Sequence, residues 1–281
     1  MPYAFTTREI EYIRHGDTGY MAKVYIPEGN GPFPMVIDLH GGAWSAGDLA
    51  DCDARDQVLA ASGLVVAAIN FRHGGDMYPS SCADINYAIR WMKAMAKEFR
   101  GRADRVGLSG TSSGGHLATL VAMRPNDERY AALPGPGGVD ASVQAIVMQW
   151  PVINPLSRYH HARRLRETLN PPGWIGNIPE RQEMYWGSEG AMAEGNPIGI
   201  LEKGEKVMTP PTLWIQGQPD QTHDYRDPNS PVELNEPLLM VSVPALEASR
   251  PSVASPTVTL PPLTTKAPGP VVVPTARVAL V

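Results

Sequence analysis

With 281 residues the chain can hold one large domain, or a domain followed by a tail. Its 43% apolar and 19% charged residues suit a globular protein, and a net charge of −5 offers no electrostatic handle for nucleic acid or an anionic membrane. Cys52 and Cys82 cannot make a disulfide framework and show no metal-ligand spacing, the first ten residues lack the apolar core of a signal peptide, and no run approaches the ~18 apolar residues of a membrane span; the expectation is a cytoplasmic protein.

In chain order, residues 21–26 read as a half-buried strand closed by Pro27 and a Gly-Asn-Gly turn. Residues 34–40 form a nearly continuous apolar run, the pattern of a strand covered on both faces. Residues 53–62 carry apolar side chains on one helical face and stop at Gly63. Residues 64–69 repeat the buried-strand pattern. Residues 81–99 follow as a longer helix with Ile85, Ala88, Ile89, Met92 and Met95 at helical spacing, before Gly101. Residues 105–108 predict a third buried strand, and Gly114 to Met123 a helix rich in Ala and Leu. Further strands are predicted at 145–150 and 212–216. Strands alternating with helices in this way predict an α/β fold, a mostly parallel central sheet with helices on both faces.

Residues 153–205, rich in Pro, Gly and Trp, read as a lid-like insert before the last clear strand. The cluster Arg163, Arg164 and Arg166 within it reads as a solvated helix face. Trp174, Tyr185 and Trp186 hint at an apolar pocket or at simple packing. The domain is expected to span 1–237. From 238 to 281 the chain turns Pro-, Val-, Ser- and Thr-rich, loses charge and periodicity together, and reads as an atypical tail outside the core.

Three local patterns carry chemistry. Gly110-Thr111-Ser112-Ser113-Gly114 is a Gly-x-Ser-x-Gly run between a predicted strand and a predicted helix. Such a turn forces the serine into strained backbone angles and brings strand and helix too close for a Cβ two residues to either side. Ser112 is therefore the candidate nucleophile, set at a helix N-terminus that favours developing negative charge. His40-Gly41-Gly42-Ala43-Trp44 follows the first buried strand, and a His-Gly-Gly turn there can aim backbone N–H groups at an oxyanion. Asp220 stands just past the C-terminal end of the strand at 212–216, where catalytic groups collect in open α/β sheets. Asp224 and Asp227 are the neighbouring alternatives for the acid.

These segments resemble the α/β-hydrolases of the hormone-sensitive-lipase-like type. The likeness runs through His40 to Trp44 with Gly47-Asp48, through Tyr78-Pro79 to Asp84 and Arg90-Trp91, through Gly110 to Ala118, through Gln149-Trp150-Pro151, and through Gly217 to Asp220. It covers roughly residues 10–225. It implies a serine carboxylesterase acting on small acyl esters, without metal or organic cofactor, with Ser112 as nucleophile and Asp220 as acid. The N–H groups of Gly42, Ala43 and Ser113 would form the oxyanion hole. The N-terminal region is too short for the family's helical cap, so the roof of the pocket is expected from 153–205.

The resemblance also implies a histidine about thirty residues beyond Asp220, and none follows His223. His40 belongs to the oxyanion turn and is expected to hold it by hydrogen bonding. His15 is expected in an exposed turn, His116 along the helix away from the elbow, and His160 and His161 in the lid. His223 remains as the substitute base, provided it folds back toward Ser112 on the loop that presents the acid. The tail itself reads as translation in a shifted frame that would have removed the expected histidine. Two further readings stay open: a small-amide or formamide hydrolase using the same machinery, and a binding protein that keeps the pocket without turnover.

Overall fold

The two buried runs at 34–40 and 64–69 become the middle of a twisted mixed sheet. The computed structural model describes residues 2–218, 220, 222–223 and 240–244. Among them eight strands are ordered β1 (Phe5–His15), β2 (Thr18–Pro27), β4 (Val65–Ile69), β3 (Phe33–Leu39), β5 (Gly101–Thr111), β6 (Ala145–Gln149), β7 (Thr212–Gln218) and β8 (Met240–Pro244). β1 and β2 pair antiparallel, as do β2 and β4; every pairing from β4 onward is parallel. β4 is buried at all five positions and β3 at six of seven, as continuous apolar runs between two helical layers should be. The chain has the α/β-hydrolase fold.

Seven helices accompany the strands among the described residues: α1 (Asp53–Ala61), α2 (Ser80–Ala94), α3 (Ser113–Met123), α4 (Pro155–Arg166), α5 (Ile178–Trp186), α6 (Glu189–Glu194) and α7 (Pro197–Glu202). α3 is buried along its whole length, so a helix apolar all round sits where it should, in the core. The last four helices make up the expected insert. Asn154, Ser188 and Asn196 cap α4, α6 and α7 with side-chain oxygens, and Pro opens α4 and α7 at the first turn. α5 packs on the turn at Gly74–Asp76 and α7 on α3.

Several boundaries differ from the sequence reading. β1 is absent from it, because Arg8, Glu9, Glu11 and Arg14 charge the strand and mask the inward pair Ile10 and Tyr12. Charge on an edge strand is a common protection against pairing with other chains. The helix expected to reach residue 99 ends at Ala94. The chain then turns until Arg100, at φ +56°, releases it into β5, which is longer than the expected 105–108. Beyond the expected domain end at 237, β8 pairs with β7 from Trp214↔Met240 to Gln218↔Pro244. Residues 238–239 and 245–281, and with them most of the segment read as a frame-shifted tail, lie outside the described residues. No helix among the described residues is long and apolar enough to cross a membrane.

Candidate active site

The elbow is set by two glycines. β5 ends at Thr111, α3 begins at Ser113, and Ser112 between them has φ +55° and ψ −119°, a region that costs a non-glycine residue about 1–3 kcal/mol. A Cβ on Gly110 would lie 2.5 Å from Gly114, and one on Gly114 would lie 2.3 Å from the carbonyl oxygen of Leu39. No side chain fits at either position. The Ser112 N–H donates to the Gln149 carbonyl at 2.9 Å, and the Val152 N–H donates to the Ser112 carbonyl at 3.2 Å. The strained residue is thus held from the neighbouring strand end.

Beneath the elbow, Arg55 of α1 binds Asp38, Thr111 Oγ1 and Gln149 Oε1, tying together the C-terminal ends of β3, β5 and β6. Nothing in the local sequence announces this brace, because its partners lie 17, 56 and 94 residues away.

The turn after β3 is equally constrained. Gly42 has φ +113°, and a Cβ there would lie 2.0 Å from the Ala46 carbonyl oxygen. Ala43 and Trp44 follow at φ +50° and +58°. Three donors meet the Gly42 carbonyl: the N–H groups of Ser45 and Ala46, each at 3.1 Å, and Arg181 Nη2 at 2.6 Å. The amides of Gly42 and Ala43 meet no acceptor among the described residues. Ser113, as first residue of α3, has no intrahelical acceptor for its N–H. His40 braces the turn as expected: its Nδ1 donates to the Gly41 carbonyl at 2.8 Å and its ring stacks on Phe71 at 4.3 Å. Burial lowers the His40 pKa, which keeps the ring neutral.

Ser112, Asp220 and His223 come together. His223 Nε2 lies 3.0 Å from Ser112 Oγ, and His223 Nδ1 lies 3.0 Å from both Asp220 oxygens. The fold-back that the sequence demanded of His223 is produced by Asp220 itself. Its Oδ1 accepts the N–H groups of Thr222 at 3.2 Å and His223 at 3.0 Å, and an aspartate that bonds its own downstream backbone closes a tight turn. Gln216 Nε2 donates to Asp220 Oδ2 at 2.8 Å, after its own Oε1 has accepted Trp214 Nε1 at 3.0 Å. Of the three aspartates weighed for the acid, Asp220 is the one described. Asp224 and Asp227 lie outside the described residues.

Burial is the main cause lowering the His223 pKa; Asp220 opposes it and Arg158 adds to it. With Nδ1–H donated to Asp220, the neutral ring presents Nε2 as an acceptor to the Ser112 hydroxyl. This is the arrangement needed to take a proton from Ser112 Oγ near neutral pH.

The other histidines have different surroundings. His116 is enclosed; its Nδ1 accepts Trp44 Nε1 at 3.2 Å and its Nε2 lies 2.7 Å from the Gly195 carbonyl. Burial pushes its pKa down to about 4. His15, expected in an exposed turn, instead ends β1 with Nε2 2.8 Å from the buried Asp84. His160 pairs with Glu189 on the surface of the insert.

Two arginines of the insert reach the turn after β3, and the sequence reading missed both. Arg181 of α5 bonds Ser45 Oγ at 2.6 Å as well as the Gly42 carbonyl. Arg158 of α4 lies over the Trp44 ring, its Cζ 5.5 Å from the centroid, and Nε donates to Gln182 Oε1 at 3.2 Å. Burial, reinforced by Arg181, pushes the Arg158 pKa down to about 9. Tyr185 and Trp186 are buried among Trp44, Tyr78 and His116, which makes them packing; Trp174 stacks on His161.

Comparison with known proteins agrees with this architecture. A family model described as BD-FAE matches residues 22–230. Esterase LipC of Mycobacterium tuberculosis (strain ATCC 25618 / H37Rv) is 36% identical over 118 residues, 41% of this chain and 29% of that protein. Carboxylic ester hydrolase LipN of the same organism is 31% identical over 133 residues, 46% of this chain and 33% of that protein. The chain spans about a third of the length of these curated relatives. Among solved structures, esterase B from Lactobacillus rhamnosis superposes with a TM-score of 0.60 at 25% identity, covering 77% of this chain and 66% of that one. The native esterase Est2 of Thermogutta terrifontis gives 0.58 at 24% identity, covering 77% and 72%.

Proposed function

Since the chain belongs to the BD-FAE family and has the α/β-hydrolase fold, we propose that it is a serine carboxylesterase that cleaves small acyl esters through an acyl-enzyme on Ser112. The observation that carries this reading is the chain of contacts Ser112 Oγ to His223 Nε2 at 3.0 Å and His223 Nδ1 to Asp220 at 3.0 Å.

In this mechanism Ser112 Oγ attacks the ester carbonyl as its proton passes to His223 Nε2. Asp220 accepts the Nδ1–H throughout, fixing the tautomer and stabilising the imidazolium. Negative charge that develops on the carbonyl oxygen meets the N–H groups of Gly42, Ala43 and Ser113, and each such donor is worth about 2.7–4 kcal/mol in the transition state. Protonated His223 then gives its proton to the departing alcohol. The acyl group stays on Ser112 Oγ until a water, deprotonated by the same imidazole, attacks it and frees the acid. Curated relatives named as ester hydrolases support the choice of esters among the substrates this machinery serves.

The test is a panel of short p-nitrophenyl esters set against formyl and acyl amides, with fluorophosphonate labelling of the intact chain. Turnover of the esters together with labelling is the expected result. Preferential turnover of the amides would move the reading to an amidase. Binding of ester without labelling or turnover would leave a non-catalytic protein.

A further inference from the structure

Arg158 is 7% exposed, yet its guanidinium is only partly satisfied. Nε donates to Gln182 Oε1, and the Trp44 ring supports the cation from one side. Nη2 is enclosed and has no acceptor among the described residues. Enclosing a charge with part of its hydrogen-bonding edge unmet is costly, and a guanidinium offers a planar fork of N–H groups that fits a carboxylate two bonds at a time. Among the described residues, the carboxylate whose charge reaches it, Asp220, does not complete it. Asp220 is already taken by Gln216 Nε2, by the N–H groups of Thr222 and His223, and by His223 Nδ1. Gln182, the partner of Nε, is itself anchored, with Nε2 donating to the Pro155 carbonyl at 2.9 Å.

The unmet edge lies close to the oxyanion turn. Trp44, on which Arg158 rests, directly follows Gly42 and Ala43 in the turn that faces the carbonyl oxygen. Arg181 adds a second cation at the same turn through its bond to the Gly42 carbonyl. An anionic group held by Arg158 would therefore lie beside the ester under attack.

We propose that Arg158 is the recognition point for a carboxylate on the substrate, so that the preferred substrates are small esters bearing a free carboxylate. The proposal rests on Ser112 being an ester-cleaving nucleophile.

The test compares mono-p-nitrophenyl succinate with p-nitrophenyl butyrate, two esters of matched acyl length that differ in the terminal carboxylate. The intact chain is expected to favour the succinate ester in kcat/KM by about 10- to 100-fold, the size of one charge-assisted contact. Arg158→Met is expected to bring that ratio to one or below, and Arg158→Lys to retain part of it. Independently of turnover, succinate is expected to bind the Ser112→Ala protein by calorimetry, and to lose that binding when Arg158→Met is added. A parent ratio at or below one, or a ratio that Arg158→Met leaves unchanged, overturns the subsite. If Arg158→Met does not fold, the parent ratio and succinate binding to Ser112→Ala still decide it. If neither ester is cleaved while succinate binds Ser112→Ala and not its Arg158→Met derivative, the esterase reading fails and the carboxylate site stands.

Discussion

His223 Nε2 and Ser112 Oγ lie 3.0 Å apart although 111 residues separate them in the chain. The proposed base stands on the same short loop as the proposed acid, three residues beyond Asp220. Asp220 and His223 are thus fixed to each other by contacts that do not involve the serine. One turn, closed by Asp220 Oδ1 on two backbone N–H groups, sets both.

His223→Ala should therefore lower kcat on a p-nitrophenyl ester by about 10⁴–10⁶-fold, the range typical of losing a triad histidine. Thr222, on the same loop, should tolerate replacement by Ala far better, because it contributes a backbone N–H to the turn. Stopped-flow or long-time kinetics on both variants checks this. Equal activity of His223→Ala and its parent would exclude His223 as the base.

Ser112→Ala should abolish fluorophosphonate labelling, whereas Ser113→Ala should keep it. Ser113 is buried as the first residue of α3 and offers its backbone N–H, which the substitution leaves in place. Intact-mass detection of the adduct separates the two serines. Labelling lost with Ser113→Ala and kept with Ser112→Ala would reverse the assignment.

The pH profile follows from the same pair. Burial lowers the His223 pKa from its ordinary value near 6.5. With His223 as the base the neutral ring is the active form, so kcat/KM should fall as pH drops through a value below 6.5 and be level from there through neutrality. The sign for stability agrees: the unfolded chain binds the extra proton first, so this residue's contribution is complete above about 6.5 and is lost as pH falls through the folded pKa. An acid limb above 6.5 would contradict the burial of this ring.

How much of this could be read from the chain depended on whether the constraint was local. The strained turns at Ser112 and at Gly42 were legible because glycine is demanded within two residues of each strained position, as Gly110, Gly114 and Gly42 show. Asp220 was legible from its place after a buried strand. His223 was visible only as the remaining histidine; its return to Ser112 depends on a side-chain-to-backbone turn that no spacing rule encodes. Arg158, Arg181 and Arg55 were invisible. Arg181 meets its turn across 136 and 139 residues, and an arginine on a polar insert looks like any solvated one. β1 was missed for the opposite reason, since its charged outer face conceals a strand whose inward residues are few.

Gly42→Val should reduce kcat by about 10²–10³-fold with a smaller change in KM. Its side chain would collide with the Ala46 carbonyl and turn the Gly42 and Ala43 N–H groups away from the oxyanion. Arg181→Met should act in the same direction and less strongly, about tenfold, because two backbone donors still hold the Gly42 carbonyl. A change confined to KM in both variants would mean that the turn only lines the pocket.

Beneath the elbow, stability should depend on a buried pair of carboxyls. Asp38 Oδ1 and both oxygens of Asp56 are enclosed and meet no donor among the described residues, while Arg55 binds the other oxygen of Asp38. Of the two, Asp56 is the one raised, by burial first and then by its neighbour Asp38, so the proton between them sits on Asp56. Its pKa is pushed up to about 8. A folded pKa above the unfolded one near 3.9 means that the folded chain holds the proton longer. Stability from this residue therefore declines as pH rises from about 4 to about 8, and is level beyond. Asp56→Asn keeps the shape, replaces that proton with an amide N–H toward Asp38, and has nothing to ionise. Relative to the parent it should gain stability steadily over that interval, by at least about 1 kcal/mol at pH 8, since each tenfold difference in proton affinity between folded and unfolded chain is worth about 1.4 kcal/mol. Thermal melts of both proteins across the interval measure the difference, in which the histidine titrations common to both cancel. A difference that does not change with pH would show that Asp56 is ionised in the folded chain, and would remove that proton from under Ser112.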